Sequence, residues 1–385
     1  MADFTAESKR CLTCAKPSCK AFCPVGNDIP AFIRLIRQGD CRQAVSLIGH
    51  PFGEICGYVC PHDKQCAGNC VLNKRGQAVD VGLIEREAFA RYPYQVERVS
   101  DGLQGRSIAV VGGGVSGVTL AVKAYEQGAD VTVYERDGLL STLSLIPSFR
   151  LPKEAILRVK NAVYGKIKVV NGQIDADGLI RLQERFDAVY VASGLTADYG
   201  LGVTGQELAC GYKEFLQGKH GCKSVIIVGG GNSAVDCARL AVFNGCNATI
   251  VYRRTRADMP AFCREITAAE QDGVQFVFNS APVKLEKNNG ALQLTVAQTV
   301  SEGRGRLTVT NKQSVLQADC VVSAVGSAFD SSILLSYEKN SVGFLQYGNV
   351  YLGGDAKGGK LVADAVADGI RAAREIKERL CSSIK

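Results

Sequence analysis

The sequence predicts an α/β protein of two nested Rossmann-like dinucleotide-binding domains, preceded by an α-helical iron–sulfur domain. Three observations predict it. Eight cysteines form two tight groups between residues 11 and 70, a strand–glycine turn–helix pattern occurs twice, and a late strand near residue 350 has no glycine turn of its own. A chain of 385 residues is too long for one ordinary domain. Its 46% hydrophobic and 22% charged residues exclude a disordered, collagen-like or coiled-coil chain. The net charge of +7 comes without a lysine/arginine run or basic–aromatic alternation, so no nucleic-acid partner is expected. No apolar run approaches the roughly 18 residues of a membrane span. The opening MADFTAESKR lacks the apolar core and cleavage site of a secretory signal, so a cytoplasmic location is expected.

The first cysteine group reads Cys11-x2-Cys14-x4-Cys19-x3-Cys23-Pro24, and the second Cys56-x3-Cys60-Pro61-x4-Cys66-x3-Cys70. Thiolates this dense can wrap a multi-iron cluster, each giving one soft ligand to one iron. In two-cluster ferredoxins the last cysteine of such a run ligates the other cluster, which makes Cys23 the candidate for crossing over. A zinc site with four ligands is the alternative, since Cys-x2-Cys serves both metals. Disulfides fit poorly with a reducing compartment. Between the groups, residues 28–39 predict a short helix: Asp28 caps it, Pro30 sits in its first turn and Gly39 ends it. Ile29, Phe32, Ile33 and Ile36 share one face. A second helix is expected over Val81 to Tyr92, completing a head of residues 1–98 that needs its clusters as core.

Next comes the first fold, whose opening part is expected over residues 99–218. Ser107 to Val111 is a strand, Gly112-Gly-Gly114-Val-Ser-Gly117 a glycine turn, 118–127 a helix, and Asp130 to Glu135 a second strand. Gly112 allows the tight turn, Gly114 lets backbone approach a pyrophosphate, and Gly117 permits close helix–strand packing. The helix amino terminus then faces the phosphate charge. Glu135 ends the second strand, where a carboxylate accepts bonds from ribose hydroxyls.

The pattern repeats in the second fold, expected over 219–327. Lys223 to Val228 leads into Gly229-Gly-Gly231-Asn-Ser-Ala234, a helix to about Val242, and a strand from Ala248 to Arg254. Alignment sets Arg253 where the first fold has Glu135. An arginine accepts a 2′-phosphate that a carboxylate repels, so the first site suits FAD or NAD and the second NADP(H) over NAD(H). An exposed pair of surface arginines, Arg253 and Arg254, is the plain alternative. Asp187 to Gly194 closes the first strand set and Asp319 to Gly326 the second. Asn349 to Asp355 then returns to the first fold, giving it a second part over 328–385.

With these residues in hand, the chain resembles the glutamate synthase small-subunit type of FAD/NAD(P)H iron–sulfur oxidoreductases. That type is similar to the NAD(P)H-accepting part of dihydropyrimidine dehydrogenase and to the large subunit of NADH-dependent ferredoxin:NADP oxidoreductase. The resemblance rests on both cysteine groups, both glycine turns, Pro147-Ser-Phe-Arg-Leu-Pro-Lys153, Tyr252-Arg-Arg-Thr-Arg-Ala-Asp-Met-Pro260 and Gly353-Gly-Asp355. It implies a fold of the pyridine nucleotide-disulfide oxidoreductase type and two [4Fe-4S] clusters. One cluster would take Cys11, Cys14, Cys19 and Glu85, the other Cys23, Cys60, Cys66 and Cys70, with Cys56 a neighbour only. It further implies that Asp355 bonds the FAD ribityl or pyrophosphate, that Arg150 lies near the flavin, and that Glu135 holds the adenosine ribose. A helix from Leu361 to Ala373 would point its amino terminus at the flavin ring. The other candidate nucleotide contacts are Ser116, Arg136, Gly194, Gly354 and Val362 in the first fold, and Asn232, Ser233, Arg254 and Gly326 in the second.

One departure stands out. Relatives carry a glycine pair in the loop after the second strand; here residues 136–147 are shorter and lack it. The segment 161–175 is abbreviated too. No residue is assigned as a catalytic acid, base or nucleophile, because hydride transfer needs stacking and orientation. His50, His62 and His220 form no triad motif, and His62 is expected at the surface or beside a cluster. The expected function is an electron-input subunit of a hetero-oligomer, passing electrons between NAD(P)H, FAD, the clusters and a catalytic partner or ferredoxin. The alternative is a non-enzymatic iron–sulfur scaffold whose flavin site has decayed.

Overall fold

The computed structural model describes residues 4–218, 221–301, 306–334, 346–359 and 361–382; His220 lies outside them. The head contains the expected helix α1 (Ile29–Gln38), where Asp28 accepts from the Ala31 amide at 3.1 Å and Gly39 stops the helix at φ 86°. Two unforeseen helices follow, α2 (Cys41–Ile48) and α3 (Gly53–Val59). The expected second helix is α4 (Val81–Arg91), capped by Asp80 accepting from Leu83 at 2.8 Å. Helices α3 and α4 meet closely because neither has a side chain at the contact: a Cβ on Gly57 would lie 2.7 Å from the Gly82 carbonyl. Phe32, Ile33, Ile55 and Ile84 are fully buried, so the head has an apolar core of its own besides the cysteines.

Strand β1 (Ser107–Val111), helix α5 (Val115–Glu126) and strand β2 (Asp130–Glu135) build the first fold. Helix α5 starts three residues before the expected 118, directly on the glycine turn, with Gly114 as its N-cap. Helix α6 (Lys153–Val163), β3 (Lys168–Asn171), α7 (Ala176–Arg185) and β4 (Ala188–Val191) continue it. The head packs on this fold through charge. Arg158 on α6 donates Nε and Nη2 to the two oxygens of buried Glu54 on α3 at 2.7 and 2.5 Å, and Tyr94 donates to Glu126 on α5 at 2.5 Å. Head and first fold accordingly form one compact unit of residues 1–144, 148–195 and 329–385, not separate bodies divided at 98.

The second unit spans 145–147 and 196–328, starting well before the expected residue 219. The earlier start has a structural reason: the chain first makes β5 (Ala197–Asp198) and β6 (Cys210–Gly211), and β6 is an edge of this unit's sheet. The glycine-turn unit follows as β7 (Ser224–Val228), α8 (Asn232–Phe243) and β8 (Asn247–Val251), then α9 (Cys263–Gln271) and β9 (Gln275–Val277). Strand β8 ends at Val251, so Arg253 and Arg254 lie in the loop beyond it. A second sheet, antiparallel and unforeseen, comprises β10 (Ser280–Asn288), β11 (Ala291–Ser301) and β12 (Leu307–Ala318). Its first hairpin turns on Asn289-Gly290, both at positive φ, the two-residue turn that matches strand twist. Strand β13 (Cys320–Ser323) closes the parallel sheet in the order β6-β13-β7-β8-β9, and β14 (Ser327–Ala328) pairs with β5.

The chain then returns to the first unit. Strands β15 (Gln346–Tyr347) and β16 (Val350–Leu352) complete a sheet ordered β15-β16-β4-β1-β2-β3, with Val350 beside Val189. The expected nesting is therefore present. The last helix, α10 (Val362–Ser382), runs beyond the expected Ala373 because Ile376 and Leu380 continue its buried face. Among the described residues no helix is long and apolar enough to cross a membrane.

Candidate functional site

In the head, Cys11, Cys14, Cys19, Cys66 and Cys70 line one cavity, walled by Ile29 and Ile33. Burial pushes the Cys19 thiol up to about 11, and the neighbouring Cys11, Cys70 and Cys14 add to the shift. A second constellation lies deeper. Cys23 and Cys66 both lie near the carboxylate of Glu85, Cys66 also lies near Cys60 and Cys23, and burial and these negative neighbours raise the Cys23 and Cys66 thiols. Cys56 hydrogen-bonds Cys60, and Glu85 is raised to about 8 by burial.

The neighbours of these thiols favour a partition that differs from the expected one in one exchange. Cys70, and not Glu85, lines the cavity with Cys11, Cys14 and Cys19, while Glu85 acts on Cys23 and Cys66; Cys66 borders both groups. The physical reason is the chain path. A run of turns over residues 62–69 carries Cys66 and leads into Cys70, so both reach the first cavity while Cys66 also reaches Glu85. Cys56 sits as a neighbour within the second group. His62 stands beside it, its Nδ1 3.2 Å from Cys66 Sγ and its Nε2 3.2 Å from the Gly57 carbonyl. His50 is a core residue, held neutral by burial with its pKa lowered to about 3.

The donor chemistry fits multi-iron groups. Two sets of clustered soft ligands lie half-buried to buried, and the charge that would keep them as thiolates is what iron supplies. Among the described residues no three His, Cys, Asp or Glu side chains converge on a single ion position.

The first glycine turn shows which glycine does what. A Cβ on Gly112, at φ 107°, would lie 2.4 Å from the Ala192 carbonyl, and one on Gly117 would lie 2.0 Å from the Gly112 carbonyl. A Cβ on Gly114 would meet nothing within 4 Å, which leaves the open cradle a pyrophosphate needs. Glu135 fixes the turn: its Oε2 accepts from the Gly113 amide at 2.6 Å and its Oε1 from Asp137 at 2.7 Å. The shortened loop closes over the same turn, with the Leu140 amide donating to the Gly113 carbonyl at 2.8 Å and Leu139 and Leu140 buried. Arg136 pairs at the surface with Asp137, Arg150 is half-buried before α6, and Gly194 turns at φ 69° after β4.

A buried polar chain joins this turn to the Gly353-Gly354-Asp355 segment, and sequence reasoning missed it. Ser116 and Tyr190 share a hydrogen bond of 2.6 Å, Tyr190 donates to Asp368 at 2.9 Å, and the Gly354 amide donates to the same Asp368 oxygen at 2.7 Å. Both glycines are required there: a Cβ on Gly353 would overlap the Tyr190 hydroxyl, and one on Gly354 would press on Ser116. A lone tyrosine in the aliphatic strand Ala188–Val191 was the available signal. Asp355 is raised to about 6 by burial and by Asp364, and Val362 opens α10 just beyond it.

The second unit repeats the cradle. A Cβ on Gly229 would lie 2.3 Å from the Ala324 carbonyl and one on Gly230 would strike the Tyr252 ring, while Gly231 again faces open space. Asn232 accepts from the Phe262 amide at 3.0 Å and Ser233 follows it in the first turn of α8. Arg253 is exposed, and its backbone carbonyl accepts from Thr299 at 2.7 Å; Arg254 is half-buried. Arg256, by contrast, is committed to Glu270. Gly326 turns at φ 118° beside Tyr199.

Comparison with known proteins matches these parts. Residues 2–94 match the family described as dihydropyrimidine dehydrogenase domain II, 4Fe-4S cluster, and residues 155–369 match pyridine nucleotide-disulphide oxidoreductase. The glutamate synthase [NADPH] small chain of Azospirillum brasilense is 30% identical over 96% of this chain and 88% of its own length. The NADPH-Fe(3+) oxidoreductase subunit beta of Geobacter sulfurreducens is 29% identical over 82% of this chain and 52% of its own. The solved structure of Mycobacterium tuberculosis FprA in complex with NADPH shares the fold over 72% of this chain and 85% of its own, with TM-score 0.59 at 16% identity.

Proposed function

Since this chain belongs to the family of the glutamate synthase small chain and the pyridine nucleotide-disulphide oxidoreductases, we propose that it is the electron-input subunit of a larger redox assembly. It is an NAD(P)H-dependent oxidoreductase with iron–sulfur, FAD and NADP cofactors. The partner on this reading is a catalytic subunit or ferredoxin. One observation carries the reading: a single chain holds two open glycine cradles, at Gly114 and Gly231, and two clustered thiol constellations, one half-buried and one deeper. When bound, the flavin and clusters supply the conversion of a two-electron hydride into single electrons.

The protein's own residues bind and orient. The amides of the first glycine turn and the amino terminus of α5 receive a diphosphate, and Glu135, which holds that turn, is the residue that would accept from the adenosine ribose. The Ser116–Tyr190–Asp368 chain fixes the Gly354 amide and with it Asp355. In the second unit the turn before α8 receives the other nucleotide, with Arg253 and Arg254 set for a 2′-phosphate. Cys11, Cys14, Cys19 and Cys70 hold one cluster, and Cys23, Cys60, Cys66 and Glu85 the other. Leu12 and Val71 are exposed immediately beside Cys11 and Cys70, flanked by exposed Lys16, Lys74 and Arg75. We take this rim as the face that meets a partner of acidic surface.

Protein purified without oxygen is expected to contain about eight irons per chain, to show flavin absorption, and to bleach on adding NADPH. Zinc in place of iron would end the proposal. Iron–sulfur absorption without flavin bands would move it to the scaffold reading. Arg253→Ala is expected to raise KM for NADPH about tenfold, the loss of a charge-assisted hydrogen bond, and to leave KM for NADH unchanged. Equal wild-type rates with NADPH and NADH in stopped flow would defeat the role given to Arg253.

A further inference from the structure

Four thiols of the second unit gather at the edge of its parallel sheet opposite the glycine turn. Cys210 opens β6, Cys320 opens β13, Cys222 lies just before β7, and Cys246 immediately precedes β8. These four strands are adjacent in the order β6-β13-β7-β8, so the thiols share the amino-terminal edge. The Gly229–Gly231 turn follows the far end of β7, about 15 Å away across a five-residue strand.

The two pairs differ in geometry. Cys222 and Cys246 have their sulfurs 2.8 Å apart, and Cys246 Sγ also lies 2.6 Å from the Cys222 carbonyl. Their backbones are held together by the Asn247 amide donating to Lys223 at 2.8 Å and by the pairing of Ser224 with Asn247. Only a small side-chain rotation separates these sulfurs from a bond of about 2.05 Å. Cys210 and Cys320 are 3.7 Å apart at the sulfurs, and Cys210 pairs with Val322, two residues along from Cys320. Such diagonal neighbours are about 7–8 Å apart at Cα, too far for an unstrained bridge.

We propose that Cys222 and Cys246 form a dithiol–disulfide site that reacts with a low-molecular-weight disulfide of the glutathione class, apart from the nucleotide cradle. Cys222 is half-buried and reacts first, whereas Cys246 is 4% exposed and is pushed up to about 12 by burial and by the Cys222 thiol. The Cys222 thiolate attacks one sulfur of glutathione disulfide. A mixed disulfide forms, the reagent's S–S bond breaks, and one glutathione leaves as thiolate, taking a proton from solvent in exchange for the one Cys222 released. Cys246 then loses its proton and attacks the Cys222 sulfur, expelling the second glutathione. Two protein thiols are oxidised and one glutathione disulfide is reduced to two glutathiones.

The test uses the anaerobic holoprotein with glutathione disulfide, followed by alkylation of remaining thiols, tryptic digestion and mass spectrometry. Residues 220–223 are expected linked to residues 240–253, with iron–sulfur absorption unchanged. Cys246→Ser is expected to trap a stable glutathione adduct on Cys222, and Cys222→Ser to leave Cys246 alkylated. Glutathione confined to the exposed Cys263 and Cys381, a Cys210–Cys320 link instead, or no adduct on Cys222 in Cys246→Ser would each overturn the proposal.

Discussion

A chain carrying Cys60→Ala together with Cys70→Ala is expected to lose essentially all its iron, while Cys11→Ala with Cys70→Ala keeps about four of about eight. The pairing of losses follows from which thiols share a cavity. Cys70 lines the same cavity as Cys11, Cys14 and Cys19, so removing Cys11 and Cys70 damages one ligand set twice. Cys60 stands with Cys23, Cys66 and Glu85, so removing Cys60 and Cys70 damages both sets once. A set that lacks one soft ligand leaves an iron open to solvent and is lost in purification. Glu85→Ala belongs with Cys60→Ala by the same reasoning, and adding it to Cys60→Ala is expected to cost no further iron. Each apo constellation leaves the Phe32, Ile33, Ile55 and Ile84 core in place, so circular dichroism should stay near wild type. Iron analysis and the spectrum of the reduced protein read the result. Retention of four irons by the Cys60/Cys70 double variant, with loss of all iron in the Cys11/Cys70 variant, would restore the partition that the family resemblance implied.

That contrast marks where the sequence was legible. The two nucleotide folds were readable because a parallel βαβ unit is a local object: strand, turn and helix are consecutive, and the glycines sit where backbone crowding demands them. Strands β1 and β2 have the expected bounds, and the late strand at 350 returns beside β4 as expected. Cluster partition was not readable, because it depends on the path of the turns that carry Cys66 and Cys70, which no periodicity records. The Tyr190–Asp368 link joins residues 178 apart and is equally invisible to a local reading. The antiparallel sheet could have been found, since Asn289-Gly290 between alternating apolar residues is a strong hairpin signal. The boundary at 195/196 was hidden because the edge strand β6 is only two residues long.

The glycine turns allow fold and cofactor roles to be separated by substitution, and the expected effects are large. Gly112→Ala places a Cβ on a residue at φ 107° and within 2.4 Å of the Ala192 carbonyl. Left-handed backbone and overpacking together are expected to cost about 3 kcal/mol, read as an earlier urea midpoint and a lower Tm. Gly114→Asp is the opposite case. Gly114 has φ −72° and ψ −172°, ordinary extended values, has no atom within 4 Å of its would-be Cβ, and is the N-cap of α5. Aspartate is among the best N-cap residues and favours the positive helix end, so stability is expected to hold within about 0.5 kcal/mol. Its carboxylate, however, occupies the cradle and repels a diphosphate, so flavin affinity is expected to fall at least about a hundredfold. Gly231→Asp applies the same logic to the second cradle, where φ is −85° and ψ 175°. That variant is expected to be purified with its flavin and iron intact and to show no bleaching by NADPH, while dithionite still reduces it. The pair of aspartate variants therefore dissects which turn serves which nucleotide. A Gly114→Asp protein that retains its full flavin, or a Gly231→Asp protein that is still reduced by NADPH at the wild-type rate, would show that the diphosphates do not rest in these cradles.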